Sequence, residues 1–391
     1  MIKEFTAFMP ARIFFGAGAI NKISAETMPG KKALVVISAG TSMRKFGYLA
    51  KLEDVLKKAS IDYVIYDKIL ANPIIDHVME GAKIAKENGC DMVVALGGGS
   101  TIDSGKAIAI MANNPGDYWD YISGGTGKGL PIPNPALPIV AITTTAGTGT
   151  EADPWTVITK GEEKIGFGYD GTFPTVSIVD PELMTSVPKN MTAYQGFDAL
   201  FHSTEGYIAN IANPFSEAMS LRAIELIAQW LPVAVNEPEN IEAREMVAYA
   251  NTLAGMVETY SCCTSEHSLA HAISGVYPKV PHGAALISIS VPYYNHFLGH
   301  IDDRLARMAQ AMGVKTDSMT EKEAAAAFVE ALKELKEKCS VADCSLTKFG
   351  VDPEKAEYIA QNAYDTMGHL FPLDRHEVKF EDAVAILKAG M

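Results

Sequence analysis

The chain has 391 residues, 48% apolar and 20% charged, with 33 Lys plus Arg against 47 Asp plus Glu. The net charge of −14, spread without a long basic run, argues against nucleic acid and anionic membrane as partners, and the composition is that of an ordinary globular protein. The length predicts two domains at roughly 100–200 residues each; no apolar run approaches the ~18 residues of a bilayer span, and MIKEFTAFMPARIFFGAG lacks the apolar core and cleavage site of a signal peptide, so a cytoplasmic protein is expected.

Short β-rich apolar runs alternate with helical stretches through the first half. KALVVISAG (32–40) predicts a strand and turn, 47–58 a helix, DYVIYD (62–67) a strand, and 75–88 a helix leading into DMVVALGGGS (91–100), a strand ending in three glycines. Region 116–138, rich in Gly and Pro, reads as a loop, and LPIVAITTTAG (137–147) and TVSIVDPEL (175–183) as further strands. Short apolar runs bounded by Gly and Pro and separated by helical lengths signal a buried parallel sheet. After Pro188, long helical patterns such as 215–231 and 322–338 take over. The boundary falls near 183–190, giving an α/β domain over 1–186 and an all-α domain over 187–391.

Three segments carry chemistry. In LGGGSTIDSGKA (96–107), Gly97, Gly98 and Gly99 follow a strand, and a helix is predicted to begin near Ser100 or Thr101. Such glycines let backbone N–H groups approach a phosphate at a helix N-terminus; without a ligand they are a strand-to-helix turn, since the spacing is neither G-x-G-x-x-G nor a P-loop. TTTAGTGTE (143–151) follows another strand, and the two loops together predict a nucleotide crevice at the sheet's carboxyl edge. In GFDALFHSTEGYI (196–208), Asp198 and His202 are four apart and share a helix face. In SEHSLAHAISGVYPKVPHG (265–283), His267 and His271 repeat that spacing, Gly275 is placed at the end of their helix, and a loop containing Pro278 and Pro281 returns His282. Three imidazoles and a carboxylate suit a divalent ion with open positions; thiolate ligands are absent, so Fe²⁺ and Zn²⁺ are both acceptable. Cys90, Cys262, Cys263, Cys339 and Cys344, an odd number without C-x-x-C spacing, predict no disulfide framework, and Cys262 and Cys263 read as small buried apolar groups.

Together GGGSTIDSGKA, TTTAGTGTE, GFDALFHSTEGY, the pair His267 and His271, and PHG resemble the iron-dependent (group III) alcohol dehydrogenases, in order and over nearly the whole chain. That family includes propanediol and butanol dehydrogenases and lactaldehyde reductase. The resemblance implies a dehydroquinate synthase-like fold, an NAD(P)-binding α/β domain followed by a helical metal-binding domain, and hydride transfer between NAD(P)(H) and a small alcohol or aldehyde at a divalent metal in the interdomain cleft. By motif position it implies Asp198, His202, His267 and His282 as metal ligands, and His271 as the histidine near nicotinamide and substrate, suited to relaying a proton. It places Gly98, Gly99 and Ser100 on the pyrophosphate, and Asn72, Asp103, Thr143, Thr144, Thr148, Lys164 and Leu183 as further cofactor contacts. The expected partners are a small-molecule alcohol or aldehyde and further copies of the chain, as a dimer or larger homo-oligomer, with no nucleic acid and no membrane. Fe²⁺ is favoured over Zn²⁺.

The turn after the first long strand, SAGTSMRK (38–45), carries no acid for a ribose 2′-hydroxyl, and Ser42, Arg44 and Lys45 could accommodate a 2′-phosphate, so NADP(H) is favoured over NAD(H). Gly105 replaces the more usual Ala, and Glu258 stands where a Phe is common. If Glu258 and Trp155 face the pocket, a polar or functionalised aldehyde follows; otherwise Glu258 points to solvent or to an internal base. Two rivals are a glycerol-dehydrogenase-like polyol oxidoreductase and a metallohydrolase using the same Asp and His ligands, the second leaving both phosphate-cradling loops unexplained.

Overall fold

The computed structural model describes residues 4–391. The chain divides into two compact units, Met9–Ser186 and residues 4–8 with Val187–Met391. The first unit contains strands β1 (Arg12–Phe15), β2 (Lys32–Ser38), β3 (Asp62–Ile69), β4 (Met92–Gly97), β5 (Ile139–Thr143), β6 (Trp155–Lys160), β7 (Glu163–Gly168) and β8 (Val176–Val179). Its helices are α1 (Lys22–Ala25), α2 (Ser42–Lys45), α3 (Tyr48–Lys58), α4 (Ile75–Glu87) and α5 (Gly99–Asn113).

Six strands form a parallel sheet in the order β1-β8-β5-β4-β2-β3, and β6 and β7 form a separate antiparallel hairpin. Strands β4 and β5 are buried along their whole length, as continuous apolar runs in a sheet covered on both faces must be. The two-residue alternation divides the faces. Val35, Ile37, Val94, Leu96, Val140 and Ile142 pack with Leu52 and Leu56 of α3, whereas Ala95 and Ala141 pack with Ile102 of α5. A Cβ on Gly105 would stand 2.9 Å from that of Ala95, so the Gly that departs from the usual Ala lets α5 lie close on β4.

Strands β2, β3, β4, β5 and β8 repeat a doubly wound order that reverses between β2 and β4, where ligands bind beyond the strands' carboxyl ends. Sequence periodicity missed β1, a four-residue edge strand, and the hairpin, whose turn contains Gly161 at φ +63°.

The second unit contains α6 (Lys189–Ile208), α7 (Pro214–Asn236), α8 (Ile241–Ser261), α9 (Ser265–Val276), α10 (His282–Phe297), α11 (Asp302–Ala311), α12 (Glu321–Lys338), α13 (Ala356–Met367) and α14 (Phe380–Ala389). No strand occurs here among the described residues. Helix α6 packs on α7, α8 and α10, and α9 on α10 and α13. Helix α7, over 23 residues, is long and apolar enough to cross a membrane by length and composition, although Glu217, Arg222 and Glu225 interrupt its apolar run. It buries Ala223, Ile224, Ile227 and Leu231 and exposes Arg222, Glu225 and Gln229, the pattern of a helix lying on a protein core.

Candidate functional site

Helix α6 places Asp198, His202 and Glu205 on one face by their i, i+4, i+7 spacing. Helix α9 adds His267 and His271 one turn apart, and α10 begins at His282. The start of α10 lies against α6 because residue 283 is Gly: a Cβ there would come within 2.1 Å of the Tyr194 carbonyl oxygen. That close approach brings His282 to Asp198.

Asp198 Oδ1 lies 3.7 Å from His202 Nε2, 3.5 Å from His267 Nε2 and 3.5 Å from His282 Nε2. Donors sharing a first-row divalent ion at bonds of about 2.0–2.2 Å stand roughly 3–3.6 Å apart, so the Asp198, His267 and His282 atoms are spaced for one ion, with His202 Nε2 just beyond that span. Asp198 Oδ1 and His267 Nε2 are buried and make no hydrogen bond, an arrangement that a cation corrects. The residues therefore fit a metal. The ring of His271 meets that of His282 edge-on at 5.0 Å, placing it beside the ligand cluster.

Sequence reasoning missed Glu205, the carboxylate behind His267. Glu205 is fully buried; it accepts from His267 Nδ1, from the Thr264 N–H at 2.8 Å and from the Thr264 hydroxyl at 3.0 Å. Such a partner fixes the ring's tautomer and raises its basicity. Burial opposes charge on His267, but Cys263, Glu205 and Asp198 together outweigh it and raise its pKa well above the ordinary value. Glu258 is buried with Oε1 3.2 Å from His202 Nδ1, so of the two orientations open from the sequence it takes the internal one. Its carboxylate carries no argument about substrate polarity. Trp155 lies across Gly168 of the hairpin.

Cys263, read from the sequence as a small buried apolar group, is buried beside two of the imidazoles. Its Sγ, a ring nitrogen of His202 and a ring nitrogen of His267 lie within 4.8 Å of one another, as do donor atoms of Asp198, His267 and His282. Burial raises the Cys263 thiol well above its ordinary pKa, with Glu258 and Glu205 adding to the rise.

In the α/β unit, Gly97 pairs with Thr143 in register, so the two loops leave adjacent strand ends. A Cβ on Gly98 would stand 3.1 Å from the Thr145 side chain, and one on Gly99 would stand 2.3 Å from Thr148. Only glycines let the loops approach this closely. Helix α5 starts at Gly99 with no side-chain cap, leaving backbone N–H groups oriented for an anion. The Ser100 hydroxyl donates to the Ala71 carbonyl and Lys164 Nζ donates to Asn72 Oδ1 at 3.2 Å, which joins Asn72, Ser100 and Lys164 on one side of the crevice. The Thr143 hydroxyl donates to the Thr145 carbonyl, and the Thr144 N–H to the Gly97 carbonyl.

Two expected cofactor contacts sit differently. Leu183 is fully buried in the apolar core beneath the sheet. Asp103 accepts from the Thr150 hydroxyl at 2.7 Å and the Val157 N–H at 3.0 Å, which ties the segment leading into the hairpin to α5. At the turn after β2, Ser42 starts α2 and Arg44 pairs with Asp67 of β3 at 2.7 Å. Asp67 thus brings a carboxylate from the neighbouring strand beside that turn.

Residues 10–181 match a family described as iron-containing alcohol dehydrogenase, and residues 192–391 match its C-terminal counterpart, the Fe-containing alcohol dehydrogenase family, C-terminal. The chain is similar to the NAD-dependent methanol dehydrogenase of Bacillus methanolicus, at 34% identity over 92% of this chain and 93% of that protein. It is also similar to the 1,3-propanediol dehydrogenase of Citrobacter freundii, at 36% identity over 92% of each. Among solved structures it resembles an alcohol dehydrogenase from an archaeal halo-thermophile of a Red Sea brine pool, with a TM-score of 0.95 and 37% identity over 100% of both chains.

Proposed function

The chain belongs to the iron-containing alcohol dehydrogenase family and is a metal-dependent oxidoreductase of small alcohols and aldehydes, and from that premise we propose that Asp198, His202, His267 and His282 hold its ion. The convergence of three Nε2 atoms on Asp198 Oδ1 carries this reading. We assign Fe²⁺ as the resident metal, with Zn²⁺ the alternative. The Met9–Ser186 unit is proposed as the dinucleotide-binding domain and the helical unit as the catalytic domain, in a cytoplasmic homo-oligomer.

When bound, the ion would supply a Lewis acid toward the alcohol or carbonyl oxygen and the nicotinamide coenzyme a hydride donor or acceptor. Glu205 holds His267 by its Nδ1, and Glu258 stands against His202 Nδ1, so each ring presents Nε2 toward Asp198. His271 is proposed to hold and pass the substrate proton at a ring nitrogen beside His282. Gly98, Gly99 and Ser100 are proposed to receive the pyrophosphate at the uncapped start of α5, with Thr143, Thr144, Thr148, Asn72 and Lys164 around it. Asp103 and Leu183 support that crevice from beneath.

For the coenzyme we propose NADP(H), bound by its 2′-phosphate near Ser42, Arg44 and Lys45. NAD(H) is the alternative, which the Arg44–Asp67 pair supports by engaging the guanidinium that a 2′-phosphate would need. The ratio of kcat/KM with NADPH and NADH decides between them. His202→Ala and His282→Ala should each deplete the ion and abolish turnover; full activity with normal metal content in either variant would refute the ligand assignment.

A further inference from the structure

Two buried donor groups overlap in the helical unit. One is Asp198, His267 and His282, and the other is His202, Cys263 and His267. They share an imidazole but differ in their third chemistry, carboxylate oxygen in one and sulfur in the other. Oxygen and nitrogen donors serve Fe²⁺ and Mn²⁺ well, whereas a thiolate selects thiophilic ions such as Zn²⁺ and Cd²⁺. The sulfur is aimed into the pocket by an unusual backbone. Cys262 closes α8 at φ 59° and ψ 179°, a region that is essentially reserved for glycine and persists only where the surroundings over-determine it. The Cys263 thiol then lies 3.8 Å from Glu258 Oε2, whose other oxygen is 3.2 Å from His202 Nδ1.

We propose that His202, Cys263 and His267 form a second, overlapping position for a thiophilic divalent ion, so that Zn²⁺ or Cd²⁺ is held with a sulfur ligand while Fe²⁺ or Mn²⁺ is held by Asp198 and the three histidines. This rests on the reading of the Asp198 cluster as a metal centre. Binding breaks the S–H bond and forms a metal–sulfur bond from the sulfur's electron pair, and the proton passes to Glu258 Oε2. The pocket's count of negative charges is unchanged, and no oxidant or reductant is required. The ion itself makes the thiolate, as coordination does for buried thiols.

The test uses the full chain stripped of metal. Titration with Cd²⁺ should develop a near-ultraviolet thiolate-to-metal absorption band. Cys263→Ser and Cys263→Ala should abolish the band, while Cys262→Ser retains it. His282→Ala should also retain it, because His282 lies outside the sulfur group. In competition, the preference for Zn²⁺ over Mn²⁺ should fall about tenfold or more in Cys263→Ser. A protein that binds Mn²⁺ but gives no band with Cd²⁺ overturns the sulfur position and leaves the metal centre standing, as does a band that survives both Cys263 substitutions. Failure to bind either ion overturns both readings.

Discussion

The α/β unit and the helical unit each bury a cluster of charged side chains, and the clusters differ in what their atoms touch. Lys106 is wholly buried, with Nζ 2.7 Å from Thr150 Oγ1, 2.8 Å from the Asp153 carbonyl, 3.0 Å from Asp153 Oδ1 and 2.9 Å from the Trp155 carbonyl. Thr150 in turn donates to Asp103. All three ammonium protons are used within the protein, with Asp153 Oδ2 the one carboxylate oxygen there that makes no hydrogen bond, so this cluster staples the segment between β5 and β6 to α5. Around Asp198 the protein satisfies the Nδ1 side of His267 and leaves its Nε2, with Asp198 Oδ1, facing one another unbonded. Buried charges that complete one another are structure, and buried donors aimed at a common point without completing one another mark a site for something else.

The sharpest way to break that distinction is to remove one charge from each cluster. Lys106→Met strands Asp153 in the core and should cost about 3–5 kcal/mol of stability, with no direct effect on metal binding. Asp198→Asn should abolish ion retention while changing the metal-free protein's stability by well under that amount. Denaturant unfolding of both variants, with metal analysis, reads the two effects. Equal losses of stability would erase the contrast.

The staple also has a pH signature. Burial raises the Asp103 carboxyl to about 7 against the opposing pull of Lys106, from an ordinary value of 3.8. Between about pH 4 and 7 the folded state keeps this proton and the unfolded chain has lost it, so stability falls as pH rises through that window. The slope from this group is up to about 1.4 kcal/mol per pH unit and vanishes above pH 7. Asp374, also raised to about 7 by burial, adds a parallel slope in the helical unit. Asp103→Asn should therefore gain on the wild type as pH rises, measured as the difference between their unfolding free energies at about pH 5 and pH 8. A constant difference refutes the assignment.

The same contrast explains what the sequence disclosed. The parallel sheet was readable because strands buried on both faces, such as MVVALG in β4, are uninterrupted apolar runs. Asp198 with His202, and His267 with His271, were readable because a helix converts a spacing of four into a shared face. Glu205 lies on the same face as Asp198 and His202, and its i, i+7 spacing was available as a signal, but its partner belongs to another helix. Glu258 stood out only as a departure from the usual Phe, and Cys263 and Asp67 gave no such signal. Their roles come from the packing of α8 on α6, from one left-handed residue after α8, and from the pairing of β3 with β2. Leu183, placed by its motif position, is buried in the apolar core of the α/β unit.

A smaller effect tests how far the carboxylates behind the ligands belong to the site. Glu205→Gln preserves shape but removes the charge that fixes His267, and it must set an amide among donors from Thr264 and His267. Metal affinity should fall about 10- to 100-fold, equivalent to ~1.4–2.7 kcal/mol, measured by competition with a chelator. Unchanged affinity would make Glu205 a structural carboxylate of the Lys106 kind.

The smallest effect concerns strain, which the helical unit stores beside its unfinished cluster. Cys262 occupies φ 59° and ψ 179°, and a side chain there costs about 1–3 kcal/mol that glycine avoids. At an unstrained position Gly is less stable than Ala by roughly 0.5–1 kcal/mol, because the unfolded chain has more freedom to lose. At residue 262 the order should invert: Cys262→Ala keeps the Cβ and its clash, while Cys262→Gly relieves it. Both variants lose the same sulfur, so that loss cancels between them, and Gly should exceed Ala by about 1 kcal/mol in thermal or denaturant unfolding. If Ala is the more stable of the two, the backbone at this turn is relaxed, and the aim of Cys263 into the pocket is a consequence of helix packing alone.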